Sequence, residues 1–344
     1  MILPDLPPRR LCRDLLLHPL GIGSGTSRWI SPSSSLLDDG QVLDGLRRAV
    51  ELGASFVDTA DSHGDGHAER LIGKVLREYR GHHVQVASKF GSLRGSAVHP
   101  YAGPRVRHQL EQTLENLYLE ELAVYTLDSY DFGPGDRYLD SAVEQMHAMR
   151  ELGQIKAVGL RGPTSTDPMP TVHRFRELFD LIRPDVVWTQ ANGLLPPAVL
   201  EGGEDLCAFT ARHGVGLVLA SPLAHGLLTG SRSPAELAAL RICGSHHADL
   251  AAAVIAGGLE ELADLFGRAP GTLVRLALRS CLQRAANAVV TVGVADEQHV
   301  DRYFSCLGAP LSEDELAQVE DVFAHMRIGL QGISGGFPVA DMRV

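Results

Sequence analysis

The sequence predicts an α/β fold, a single (β/α)8 TIM barrel spanning residues 1–344. Three observations carry that prediction. Short apolar runs alternate with amphipathic segments along the whole chain. There are eight such runs, and each is followed by a helical pattern. No linker or shift in composition breaks the order, so the length belongs to one unit rather than two.

The apolar runs are Leu20–Ser24, Ser55–Ala60, Val84–Phe90, Leu122–Asp128, Ile155–Gly162, Val186–Asn192, Gly216–Pro222 and Ala288–Val294. They are too short for buried helices and rich in Val, Leu and Ala, as parallel strands covered on both faces are. The helical patterns between them begin with Asp39–Leu52, whose apolar positions Val42, Leu43, Leu46 and Val50 share a face and which Gly53 closes. His67–Tyr79, Pro104–Leu117, Leu139–Leu152, Thr171–Ile182 and Asp205–His213 follow. After the seventh strand come Leu259–Phe266 and Gly271–Leu282, then Asp296–Cys306 after the eighth. A last helix, Ser312–His325, opens with a capping-box pattern, Ser312 to Glu315. Residues 229–258 exceed the usual connection length and read as an extended loop, a candidate lid on the barrel. An open doubly wound sheet would need a glycine fingerprint after its first strand. Here Gly21, Gly23 and Gly25 lack the spacing and run into Trp29 and Pro32 instead of a helix.

Composition narrows the function. Apolar residues make up 44% and charged residues 21%, which places the chain among globular proteins and excludes disorder as its main state. The net charge of −11 argues against nucleic-acid or anionic-membrane partners, both of which need a basic footprint. The five cysteines form no C-x-x-C pair, so a reducing, cytoplasmic setting without zinc or disulfides is expected. The N-terminal stretch lacks the apolar core of a signal peptide, and no apolar run approaches a membrane span. A small-molecule substrate is the expected partner. Richness in Ala, Arg and Gly points to a bacterial biosynthetic enzyme.

In a barrel, chemistry gathers where the strands end. Asp58, Lys89 and Asp128 interrupt the ends of three consecutive runs. Neighbouring strands lie ~4.8 Å apart, so these groups can interact at one rim. One lysine between two carboxylates would keep one carboxyl partly protonated, and an acid beside a base serves proton transfer. His63, in the loop after the second strand, projects over the same mouth as an acid/base candidate. Asp61, His63, Asp65, His67 and Glu69 are dense in metal-ligand types, but Lys89 opposes a cation there, so no metal is expected. Trp29, Tyr130 and Arg161 are placed to touch substrate.

These residues resemble the aldo-keto reductases, and the resemblance covers nearly the whole chain. That family carries D-T-A-x-x-Y-G-x-G-x-S-E-x-x-x-G after its second strand, matched by Asp58–Gly73. Its strand-three lysine matches Lys89, and its Y-S-P-L-A-x-G-L-L-T-G block matches Ala220–Gly230. The resemblance implies the barrel, a catalytic tetrad of Asp, Tyr, Lys and His, and NADP(H). By the same resemblance Gln190, Ser221, Leu223 and Gly226 would hold the cofactor. The departures are as informative. His63 stands at the tyrosine position and Asp128 at the histidine position. The residues that hold the nicotinamide in the family are replaced by Arg161, Gly162 and Gly193, and Ala295 and Tyr303 stand where the family places an arginine and an asparagine.

Proton donor and nicotinamide contacts are thus lost together. The expectation is acid–base chemistry on a small carbonyl-bearing metabolite, of lyase, dehydratase or isomerase type, without hydride transfer and without a committed cofactor. The alternative is an NADP(H)-dependent carbonyl or enone reductase using His63 or Asp128 as proton donor. A non-catalytic binding barrel is the third reading.

Overall fold

The computed structural model describes residues 6–13, 15–24, 38–93, 95–239 and 247–334. The chain opens with two short strands, β1 (Arg9–Cys12) and β2 (Leu15–Leu17), paired antiparallel. The eight barrel strands are β3 (Leu20–Gly23), β4 (Phe56–Asp58), β5 (Gln85–Phe90), β6 (Leu122–Leu127), β7 (Ile155–Arg161), β8 (Val186–Gln190), β9 (Gly216–Ala220) and β10 (Ala288–Gly293). They follow one another around a closed parallel barrel, with β10 paired to β3. Each falls inside its expected apolar run; β5 reaches the last residue of its run, and the other seven end one or two residues sooner.

Helices cover the barrel. They are α1 (Asp39–Glu51), α2 (His67–Glu78), α3 (Pro104–Leu117), α4 (Leu139–Glu151), α5 (Met169–Ile182) and α6 (Leu206–Arg212). The remainder are α7 (Pro234–Ala239), α8 (Ala248–Phe266), α9 (Thr272–Leu282), α10 (Glu297–Ser305) and α11 (Glu313–Ser334). Side-chain caps fix several starts: Asp38 accepts from the Gly40 amide, Asp205 from Ala208 and Asp296 from His299. The expected capping box is present. The Ser312 amide donates to Glu315 at 2.7 Å, and the Glu315 amide donates back to Ser312 Oγ at 3.1 Å.

Two expectations are corrected. Much of the expected loop at 229–258 is helical: α7 and the first half of α8 occupy it, and residues 240–246 lie outside the described residues. The α8 stretch Ala251–Gly258 is apolar on every side, so it shows no amphipathic period to read. The hairpin β1–β2 was not foreseen. It sits at the N-terminal end of the barrel, where Leu11, Leu15 and Leu17 join the interior cluster beneath Phe56 and Trp188. The Arg9 guanidinium fastens it by donating to the carbonyls of Leu282, Ala285 and Ala288 at 2.6–3.0 Å. No helix among the described residues is long and apolar enough to cross a membrane.

Candidate active site

Strand alternation turns Asp58 and Lys89 into the barrel and Ser88 out toward the helices. Ser88 donates outward to Glu69, which also accepts from Thr113 and Asn116, so Glu69 ties α2 to α3 and to the barrel wall. Inside, Lys89 Nζ donates to both oxygens of Asp58 at 2.9 Å and to the Thr59 carbonyl at 2.6 Å. Trp188 Nε1 donates to Asp58 Oδ2 at 2.9 Å, and its ring centre lies 4.8 Å from the ammonium. Lys89 is 3% exposed and Asp58 4%. Burial pushes the Asp58 carboxyl up, and the charge and hydrogen bonds of Lys89 oppose that. The three ammonium protons are all engaged, so Lys89 offers the cleft a fixed positive charge rather than a free donor.

Asp128 lies one residue past β6, where its amide donates to the Phe90 carbonyl at 2.9 Å. The sequence reading had Lys89 shared between two carboxylates. Instead Asp128 has its own cation, Arg161, whose Nη1 lies 3.4 Å from Oδ1. Ser92 Oγ adds a long contact of 3.5 Å to Oδ2. Burial still holds the Asp128 carboxyl above the usual carboxylate range, against the pull of Arg161 and Lys89. Tyr130 donates to the Arg161 carbonyl at 2.7 Å, so its hydroxyl fixes the rim backbone. Trp29 lies outside the described residues.

His63 was expected to project over the mouth. It is buried instead, 4% exposed, in the wall of the cleft. Its Nδ1 lies 2.9 Å from Ser24 Oγ, and Ser24 donates its own proton to Thr59 Oγ1 at 2.7 Å. Nδ1 must then carry the imidazole proton, which leaves Nε2 as a bare acceptor. Burial, with Lys89 nearby, pushes His63 down to about 3, so the ring is neutral at physiological pH. Asp58, His63, Lys89, Asp128 and Trp188 line one cleft. Trp188 and Ser24 were missed by the sequence reading. Trp188 sits inside an apolar run rather than at its end, and its signal was its parity with inward-facing Gln190. Ser24 closes the first run and would have been found by extending the rim argument to that strand.

A second, open groove of about 910 Å3, counting the solvent at its mouth, adjoins the first, with Ser221 and Gly293 lining both. One wall is the loop after β9, which bends through left-handed φ values of 59° at Ser221, 47° at Ala224, 54° at His225 and 88° at Gly226. Ser221, Leu223 and Gly226 line it. Arg232, His299, Arg302 and Tyr303 also line it. Neither arginine has an ion-pair partner among the described residues. In a chain of net charge −11, two unpaired guanidinium groups on a groove suit an anionic ligand. Gln190 is buried at the end of β8 and lines neither cavity. At Gly193 a Cβ atom would meet the Phe323 ring at 2.5 Å, and Arg327 donates to the Gly193 carbonyl at 2.7 Å. Helix α11 therefore fills the space next to this residue.

Comparison with known proteins agrees with this geometry. The chain is 27% identical over 220 residues to L-galactose dehydrogenase of Arabidopsis thaliana, covering 62% of this chain and 64% of that protein. It is 25% identical over 329 residues to the chloroplastic pyridoxal reductase of the same plant, covering 89% and 83% of the two chains. Among solved structures, the glycerol dehydrogenase of Gluconobacter oxydans superposes with a TM-score of 0.69 at 19% identity, covering 94% of this chain and 97% of that one. The profile described as "Aldo/keto reductase family" matches residues 19–324. A match running from the first barrel strand into the last helix shows where this chain belongs: it is a member of the aldo/keto reductase family.

Proposed function

We propose that this chain is an NADP(H)-dependent oxidoreductase that interconverts a carbonyl and a hydroxyl group on a small molecule. One observation carries the reading: the groove with its two unpaired arginines adjoins the cleft around Lys89, with Ser221 and Gly293 lining both. Relatives named as dehydrogenases and reductases point the same way. The reading therefore moves from the non-redox chemistry that the sequence favoured to its alternative.

The groove fits a dinucleotide at its phosphate end. Its left-handed turns face a pair of guanidinium groups, an arrangement suited to phosphate oxygens. Ser221, Leu223, Gly226, Arg232 and Arg302 would hold the cofactor. Once bound, it supplies a hydride to the substrate carbon or takes one from it.

The chain's own residues do the rest. Lys89, held rigid by Asp58, Thr59 and Trp188, places a positive charge where negative charge grows on the substrate oxygen. Asp128 supplies the proton. Its burial keeps it protonated at a pH where an exposed aspartate is ionised. His63 cannot be the donor in this state, because its one proton is committed to Ser24.

Fluorescence titration with NADPH and NADH tests the reading. Micromolar binding, with loss of nicotinamide absorbance on adding small aldehydes, supports it. No binding of either nucleotide by folded protein would return the non-redox reading.

A further inference from the structure

We propose that His63 accepts a hydrogen bond from a hydroxyl group of the substrate, and that the cleft thereby selects carbonyl compounds with a hydroxyl beside the reacting carbon. The inference rests on the oxidoreductase reading and names the substrate class for that same site.

The hydrogen-bonding inventory of the cleft leads there. Asp58 accepts from Lys89 at both oxygens and from Trp188, so most of its acceptor capacity is used within the protein. Lys89 has given its three protons to Asp58 and Thr59. The Ser24 proton goes to Thr59, and the His63 Nδ1 proton goes to Ser24. Among the titratable groups, two remain open to a guest; the Ser221 and Thr291 hydroxyls also line the cleft and can turn to donate or accept. Asp128 can donate, because its contacts at 3.4 and 3.5 Å leave it weakly held. His63 Nε2 can only accept, and no protein donor reaches it among the described residues.

Nε2 faces the cleft, so a guest that displaces water from it must supply a donor of its own or lose that hydrogen bond. The guest's donor must be neutral, since an ammonium group would be repelled by Lys89. A hydroxyl is the ordinary neutral donor of small metabolites. The cleft, about 440 Å3 with its mouth, is small, and His63, Lys89 and Asp128 all line it. The guest that fits both open groups is one short molecule that offers a carbonyl to Asp128 and a hydroxyl to His63. Ser24 and Thr59 are positioning residues, which act by fixing the imidazole tautomer. The ring stays neutral at physiological pH, so the acceptor persists there.

The test uses matched pairs of substrates: glycolaldehyde against acetaldehyde, and hydroxyacetone against acetone. Intrinsic reactivity differs within each pair, so the measure is the change in their kcat/KM ratio between wild type and variant. Replacing the acceptor by a ring that cannot accept, His63→Phe, should cut the preference for the hydroxylated compound roughly 10- to 100-fold. His63→Gln, whose amide oxygen can accept, should restore part of it. A second readout is independent of turnover. The nitrogen-15 spectrum of His63 should show protonated Nδ1 and bare Nε2, and Ser24→Ala should loosen that preference. Turnover of both compounds with the ratio unchanged in His63→Phe overturns the inference and leaves the oxidoreductase reading intact. A protonated Nε2 in the wild type overturns it as well. No turnover with any pair and no nucleotide binding overturns the oxidoreductase reading instead, and the substrate inference falls with it.

Discussion

Replacing Asp61 by asparagine should make the protein more stable, and increasingly so as pH rises. Asp61 is 2% exposed, and neither carboxylate oxygen has a hydrogen-bond partner among the described residues. Burial first, then the charges of Glu69 and Asp128, push its carboxyl up to about 8, with Arg105 and the nearby Ser62 amide opposing. In the unfolded chain it titrates near 3.8. A raised folded value favours folding fully only below the unfolded one, and that contribution is lost as pH climbs toward the folded one. Each unit of difference is worth ~1.4 kcal/mol, so at pH 7 the gap of about three units sets an upper figure of ~4 kcal/mol. Water entry and side-chain rearrangement recover part of this cost, and a gain of about 2 kcal/mol is expected for the neutral amide. Urea and thermal unfolding at about pH 4.5 and about pH 7.5 would measure it. The gain should be small at the lower pH. At the higher pH it should reach about 2 kcal/mol, or several degrees in Tm. A variant no more stable than wild type at the higher pH, or a gain that ignores pH, would refute the reasoning.

Other outcomes follow from the same geometry. Asp128→Asn should lower kcat for carbonyl reduction by roughly 100-fold or more while nucleotide affinity holds, and an unchanged kcat would remove Asp128 as the acid. In the wild type that reduction should weaken as pH rises through the elevated Asp128 value, and kcat measured across pH would show it. Arg302→Ala should weaken NADPH binding by roughly 5- to 30-fold in a fluorescence titration; identical affinity would mean the groove binds nothing charged there. Gly193→Ala should cost about 1–3 kcal/mol in urea unfolding, because its methyl group has no room beside Phe323.

The barrel could be read from sequence because parallel strands buried on both faces stand out as apolar runs. The polar residues ending those runs then marked the rim. Asp58, His63, Lys89 and Asp128 were found that way, and they do line one cleft. The ion pairing was harder to read. Lys89 was placed between two carboxylates because strand spacing allows it, yet Arg161, one strand further on, takes Asp128. Trp188 stayed hidden because an indole inside an apolar run looks like core until its N–H is seen to reach Asp58. The tautomer of His63 depends on a chain of hydroxyl groups from two different strand ends, which no local pattern encodes. The first half of helix α8 escaped notice for the opposite reason, since a segment apolar on all sides has no period, whereas its second half, Leu259–Phe266, was legible.

The hairpin β1–β2 makes the barrel a blind tube. Leu11 and its neighbours stop the lower end, and the carbonyl ladder held by Arg9 keeps the stopper in place. Whatever reaches Lys89 therefore enters and leaves where the strands end, on the side that also carries the groove.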